Sequence, residues 1–121
     1  MIINKSNNQV LAHNKKILRS VLAKAKGLMF SKKIENTGYI FVFAKEQIMD
    51  LHMFLVFFPI DVVFLNKAKK VIEIKENFLP FSIYISKKKA SSFIELPKGT
   101  VKRTRTKIGH MISLDKNTEN S

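Results

Sequence analysis

Apolar positions along the chain follow two spacings. Near the N-terminus Ile17, Leu18, Val21, Leu22 and Ala25 recur at intervals of three and four, with Lys15, Lys16, Arg19, Lys24 and Lys26 between them. That period predicts an amphipathic helix through KKILRSVLAKAKGLMF, with Asn14 as its N-cap, Gly27 at its C-terminal cap and its apolar stripe docked on a sheet. Val10 to Ala12 reads as a short opening strand before it.

Beyond Asn36 the spacing shortens and β-branched and aromatic residues dominate. Strands are predicted at Tyr39 to Phe43, Val62 to Leu65, Val71 to Ile74, Phe81 to Ile85, Ser92 to Leu96 and Met111 to Leu114. Asn36-Thr37-Gly38 reads as a turn, and Asn66 to Lys70 has the length and polarity of a hairpin loop. Lys87-Lys88-Lys89 is expected to separate two strands, and Leu96-Pro97-Lys98-Gly99-Thr100 to form a turn with glycine at positive φ. The fold class predicted is mainly β (α+β): an antiparallel, barrel-like sheet with one peripheral helix near the N-terminus. Residues 1–115 form one domain on this reading, and 116–121 a disordered tail.

The longest apolar run, LHMFLVFFPIDVVFL from Leu51 to Leu65, has the look of a membrane segment. It is shorter than the ~20 residues a spanning helix needs. Pro59 breaks helical bonding in its second half, and Asp61 is costly in lipid. Two core strands meeting at a bend near Phe58-Pro59 fit the run better, and no transmembrane segment is expected.

Charge changes the picture of partners. The net charge of +13 is uneven: residues 1–34 hold eight Lys/Arg and no acid, whereas residues 35–66 sum to −3. Such an excess draws anionic macromolecules through long-range electrostatics. Lys87, Lys88, Lys89, Lys102, Arg103 and Arg105 are the candidate basic surface, against the alternative of a solvated face that maintains solubility. The absence of cysteine excludes disulfides, thiolate metal sites and a cysteine nucleophile. The N-terminus shows no apolar signal core, so the cytoplasm is the default compartment.

Four stretches in register resemble one family: GLMF at 27–30, LHMFLVFFPIDVVFLN at 51–66, ENFLPF at 76–81 and IELPKGT at 94–100. Together they resemble the archaeal form of the domain-of-unknown-function family 192, small proteins widespread in bacteria and archaea, and the likeness runs from about Val10 to Leu114. The family run commonly reads Trp-Met-Lys-Asn-Thr, two apolar residues, then Pro-Leu-Asp. Here His52 stands for the Trp, Met53 is kept, Phe54-Leu55-Val56 replace the polar trio, and Pro59-Ile60-Asp61 keep the ending. The resemblance implies a mostly antiparallel β fold with a peripheral helix, and implies no established reaction, cofactor or ligand.

Candidate chemistry centres on Asp61, since a carboxylate inside an apolar strand must be paired or hydrogen-bonded. It either pins the bend after Pro59 or faces a ligand. His13, His52 and His110 lack metal-ligand spacing, and no nucleophile motif or glycine-rich phosphate loop is present. Glu95, between Ile94 and Leu96, is expected to face solvent. The predicted site is therefore a concave surface around His52, Met53, Asp61 and Asn77, beside Pro80. It is read as a non-enzymatic site for a small molecule or macromolecular partner, without cofactor or metal. The alternatives are a nucleic-acid accessory protein using the lysine face, and a hydrolase or transferase using Asp61 and His52.

Overall fold

A computed structural model describes residues 1–19, 35–53 and 56–114. Eight strands run in chain order: β1 Ile2–Asn4, β2 Gln9–Ala12, β3 Asn14–Leu18, β4 Thr37–His52, β5 Ile60–Leu65, β6 Val71–Phe78, β7 Ile83–Pro97 and β8 Ile112–Leu114. Helix α1, Thr100–Thr104, precedes β8 and is the only helix among the described residues. The strands form a three-stranded sheet ordered β2-β1-β8 and a five-stranded sheet ordered β3-β4-β7-β5-β6. Among the described residues no closed barrel is found: β3 and β6 are the two edges of the larger sheet.

Alternation on the larger sheet explains its two cores. Ile40, Val63, Ile94 and Leu96 point to one face, where they meet Ile2, Leu11, Ala12 and Ile112 of the small sheet and Val101 of α1. Phe41, Val62, Phe64 and Phe93 point to the other. Their rings pack closely, with Phe41 and Phe93 stacked at 4.7 Å. Complete burial of a side chain such as Phe64 stabilises the fold by about 2–3 kcal/mol. The two sheets approach closely at Gly38, where a Cβ would lie 2.3 Å from Ile2 Cδ1 and 3.1 Å from Leu96 Cδ2.

The aromatic core is covered by the sheet's own longest strands. β4 carries extra residues between Val42 and Gln47, and β7 between Ile85 and Lys89, so their pairing is interrupted twice. Such bulges bend a strand pair. The far half of the β4–β7 ribbon folds over, bringing Tyr84 within 5.9 Å of Phe64 and 6.2 Å of Phe78, ring to ring. Met49 and Leu51 line its inner side, whereas Ile48, Asp50, His52, Ile83 and Ile85 are on its exposed side.

Several expectations are corrected by this arrangement. The predicted helix begins as β3 instead: Asn14–Leu18 pairs parallel with Thr37–Phe41, and Ile17 is exposed rather than docked. Adjacent Ile17 and Leu18 suit a strand as well as a helix, and β4 offers an edge with open backbone groups. The remainder of that predicted helix, and the tail beyond Leu114, lie outside the described residues. The two strands predicted around Lys87-Lys88-Lys89 are one strand, because the lysine side chains face water while the backbone stays engaged. Phe81 belongs to a turn, not a strand. Thr100–Thr104, which carries the candidate basic residues Lys102 and Arg103, is helical.

Other expectations hold. β5 and β6 form the predicted hairpin, whose loop is closed by Asn66 Oδ1 accepting the Ala68 and Lys70 N–H groups. Gly99 adopts φ 88° in the predicted turn. The run from Leu51 to Leu65 is the end of β4, a connector and all of β5, and no helix of the described residues is long and apolar enough to cross a membrane.

Candidate functional site

Asp61 is 1 % exposed on β5, on the face that meets α1. Its Oδ1 accepts the Asn77 N–H at 3.0 Å and its Oδ2 accepts the Val101 N–H at 2.9 Å. One carboxylate thus satisfies an otherwise unpaired donor in the first turn of α1 and fixes the end of β6, where Asn77 sits at φ 51°. Of the two readings of Asp61, pinning local structure is the one the geometry displays.

The next link runs from β6 into the turn. Phe78 is buried, Pro80 is half-buried, and the turn is clasped by Met53: Met53 donates its N–H to Ser82 O at 2.8 Å and accepts the Phe81 N–H at 2.9 Å. Met53 itself is in the aromatic core. The clasp holds Phe81 at φ 60°, a region costly for a bulky side chain, and the residue is 59 % exposed. Phe81 meets Phe57 edge-on at 5.4 Å.

Beside this turn lies a groove of about 510 Å³ lined by Asp50, His52, Phe81, Ser82 and Ile83. Phe57, Leu79 and Ile85 are exposed in the same region of sequence and fold, and Ile83 is 71 % exposed. A cluster of large apolar side chains in water marks an interaction surface more strongly than scattered single ones. Of the predicted site residues, His52 lines the groove, while Met53, Asn77 and Pro80 set the turn that forms its wall. Asp61 is not a lining residue and acts on the turn only through Asn77. Sequence reasoning missed Phe81, Ser82 and Ile83, because Phe81 to Ile85 read as a strand, and it assigned Asp50 no role.

The candidate basic residues fall into two groups. Lys87, Lys88 and Lys89 are exposed in the β7 bulge, whose backbone is anchored by Glu73. The Glu73 carboxylate accepts the Lys87 and Lys88 N–H groups at 2.9 Å and the Tyr84 hydroxyl. Burial acts to raise the Glu73 pKa, but these donors and the nearby Lys87 charge outweigh it and the net shift is downward. Tyr84 is pushed up to about 12 by desolvation and by the carboxylate beside it. Lys102, Arg103 and Arg105 sit on or just after α1, beyond the opposite end of β7. Arg103 is spent on structure there, donating to Val10 O and Leu11 O at 3.1 Å each.

Glu95 is a further correction. It does not face solvent freely: it lies on the aromatic side of β7 between Tyr39 of β4 and Val62 of β5. The residue keeps a fringe of exposure, but its carboxyl is enclosed, and desolvation pushes its pKa up to about 8. The alternation Ile94-Glu95-Leu96 predicted one wet face, whereas this part of β7 is covered on both. Among the described residues, no group of three or more His, Asp or Glu is arranged to hold a metal ion.

Comparisons with known proteins agree with this fold. A UPF0127 protein of Pyrococcus horikoshii is 30 % identical over 112 residues, covering 93 % of this chain and 96 % of its own. A UPF0127 protein of Thermococcus sibiricus is 29 % identical over 123 residues, covering 100 % of this chain and 79 % of its own. A protein of unknown function from Novosphingobium aromaticivorans superimposes with a TM-score of 0.76 at 22 % identity, over 82 % of this chain and 73 % of that one. A Sinorhizobium meliloti protein, provisionally labelled a transcription regulator, gives 0.78 at 24 % over 82 % and 79 %. The model of the DUF192 family, described as Uncharacterized ACR, matches residues 2–114, and the chain belongs to that family.

Proposed function

We propose that the protein is a non-enzymatic binding module whose contact surface is the groove and apolar rim at the turn end of the β4–β7 ribbon. The observation that carries this reading is the exposure of Phe57, Leu79, Phe81, Ile83 and Ile85 around a groove containing Asp50 and His52. Apolar side chains supply contact area, and the two polar groups orient what binds. The clasp from Met53 and the anchor from Asp61 supply rigidity, which lowers the ordering cost of association. The buried carboxylate serves this surface from behind and does no chemistry in it.

The test is a titration of the 15N-labelled protein with a library of small apolar fragments bearing amines or hydroxyls. Shifts concentrated at His52, Phe81, Ser82 and Ile83, and abolished by Ile83→Ser, are the expected result. Shifts that map elsewhere, or survive Ile83→Ser, remove the assignment.

A further inference from the structure

We propose that this surface docks on an anionic lipid surface, with Phe57, Leu79, Phe81 and Ile83 entering the headgroup region and Lys87, Lys88 and Lys89 meeting the phosphates. The proposal rests on the binding reading above and names its partner.

Three observations favour lipid. First, the apolar side chains project from chain reversals: Phe57 in the β4–β5 connector and Leu79 and Phe81 in the β6–β7 turn, each more than half exposed. Projecting side chains suit insertion into a soft interface. Second, Phe81 sits at φ 60° in a turn held to Met53 by two hydrogen bonds, one from the Phe81 N–H and one to Ser82 O, so backbone strain is accepted to keep an aromatic side chain in water. The ring's edge contact with Phe57 leaves most of it in water, so the strained position presents apolar surface outward.

Third, charge complements the apolar tip. Lys87 to Lys89 follow Ile85 through the bulge, and Lys89 pairs with Ile48, two positions from the Asp50 that pairs with Ile85, about 7 Å along the ribbon. Apolar groups of peripheral proteins enter the interface by about 5–10 Å, which puts these ammonium groups at phosphate height. The ribbon also bears Lys45, against two acids, Glu46 and Asp50. Glu46 is engaged with the Lys67 N–H at 3.2 Å, and Asp50 lies in the groove. The ribbon is thus net basic in a chain of net charge +13. The other basic group, on and after α1, lies beyond the far end of β7 and can take no part in the same contact.

The experiment is sedimentation of the full chain with vesicles of phosphatidylcholine alone, or of equal parts phosphatidylcholine and phosphatidylglycerol. Three proteins are compared: the wild type, the double variant Phe81→Ser/Ile83→Ser, and the triple variant Lys87→Gln/Lys88→Gln/Lys89→Gln. All five positions are exposed, and unchanged thermal melting verifies that the variants fold. The wild type is expected to bind the anionic vesicles only. The lysine variant should lose roughly a hundredfold in partitioning, at about fivefold per lysine, and the apolar variant at least tenfold.

Failure of the wild type to bind anionic vesicles overturns the proposal, as does equal binding to neutral ones. Binding that depends on the lysines but not on Phe81 and Ile83 also overturns it, and tight binding to single-stranded RNA with that same dependence assigns the lysines to nucleic acid. If vesicles fail while the fragment titration still maps to His52 and Ile83, the lipid falls and the binding surface stands. If both fail, the surface itself is wrong.

Discussion

Asp61 accepts the backbone N–H of Val101 at 2.9 Å, joining a strand to a helix forty positions further along the chain. Its second oxygen holds Asn77, so the same side chain organises α1 and the end of β6. Asn in its place offers one acceptor and turns an NH2 group toward a backbone donor. Asp61→Asn is expected to cost about 2–4 kcal/mol, read as a lowered urea midpoint with an unchanged slope. The Phe81 turn should loosen as well, seen as faster amide exchange at Phe81 and Ser82. A loss below 0.5 kcal/mol (about the scatter of surface changes) contradicts the anchoring role.

Gly38 marks the closest approach of the two sheets. Gly38→Ala drives a methyl against Ile2 and Leu96, both fully buried. A destabilisation of about 1–3 kcal/mol is expected from overpacking. Ile2→Val removes the Cδ1 that sits nearest, so the double variant should be more stable than the sum of the two single changes. Strict additivity in chemical denaturation contradicts direct contact.

Phe81 should be dispensable for stability. Phe81→Gly removes strain at φ 60° and loses one edge contact with Phe57. Melting is expected to be unchanged or raised, by up to ~1 kcal/mol. A clear drop in melting temperature shows that the ring is a packing element.

Stability should fall as the solution becomes alkaline, through Glu95. Its pKa is about 8 in the folded chain, above the value of 4.5 for an unperturbed side chain. Between these values the folded state holds a proton that the unfolded state has released. Stability therefore declines as pH rises from about 5 to 8 and levels off above. Glu95→Gln is expected to flatten this slope and to stabilise the protein at pH 9, measured by denaturation at a series of pH values. An unchanged slope shows that the Glu95 carboxyl reaches water.

The acid limb has a different origin. Glu73 has a lowered pKa, so its contribution is complete above the ordinary carboxylate range and disappears as pH falls through the lowered value. Tyr84→Phe removes one donor, and the acid-induced loss of stability should then begin at higher pH. Acid unfolding curves that superimpose contradict the pairing.

Local signals in the sequence reached as far as local physics extends. Asn66, Gly99 and Pro59 act through their own backbone preferences, and the hairpin loop, the α1 turn and the bend before β5 were legible. The family likeness was legible too, because it rests on runs of neighbouring residues. Ile17-Leu18 and Lys87-Lys88-Lys89 misled, because their states are set by partners far away: β4 in one case, Glu73 and the bulge in the other. The groove was hidden for the same reason. His52 could be nominated as a polar interruption of an apolar run. Ile83 and Phe81 reach water only because the ribbon folds back, which no pattern of spacing displays. Glu95 is the converse, a charge that alternation assigned to water and a second layer of protein covered.

The small sheet has a consequence for biosynthesis. Its middle strand is β1, paired on one side with β2 and on the other with β8, Ile2 facing Leu114. Asn4 also joins Thr106 and His110, and Lys5 donates to Met111 O. On the ribosome, β1 and β2 are made together and can form a hairpin, but the third strand, β8, is made roughly a hundred residues later. The apolar side of that hairpin, with Ile2 and Leu11, stays open until the larger sheet and β8 have been made to cover it. A loop of this length costs only a few kcal/mol to close, yet it can close only after translation reaches residue 114. A nascent chain stalled before β8 thus presents a sticky two-stranded edge to chaperones.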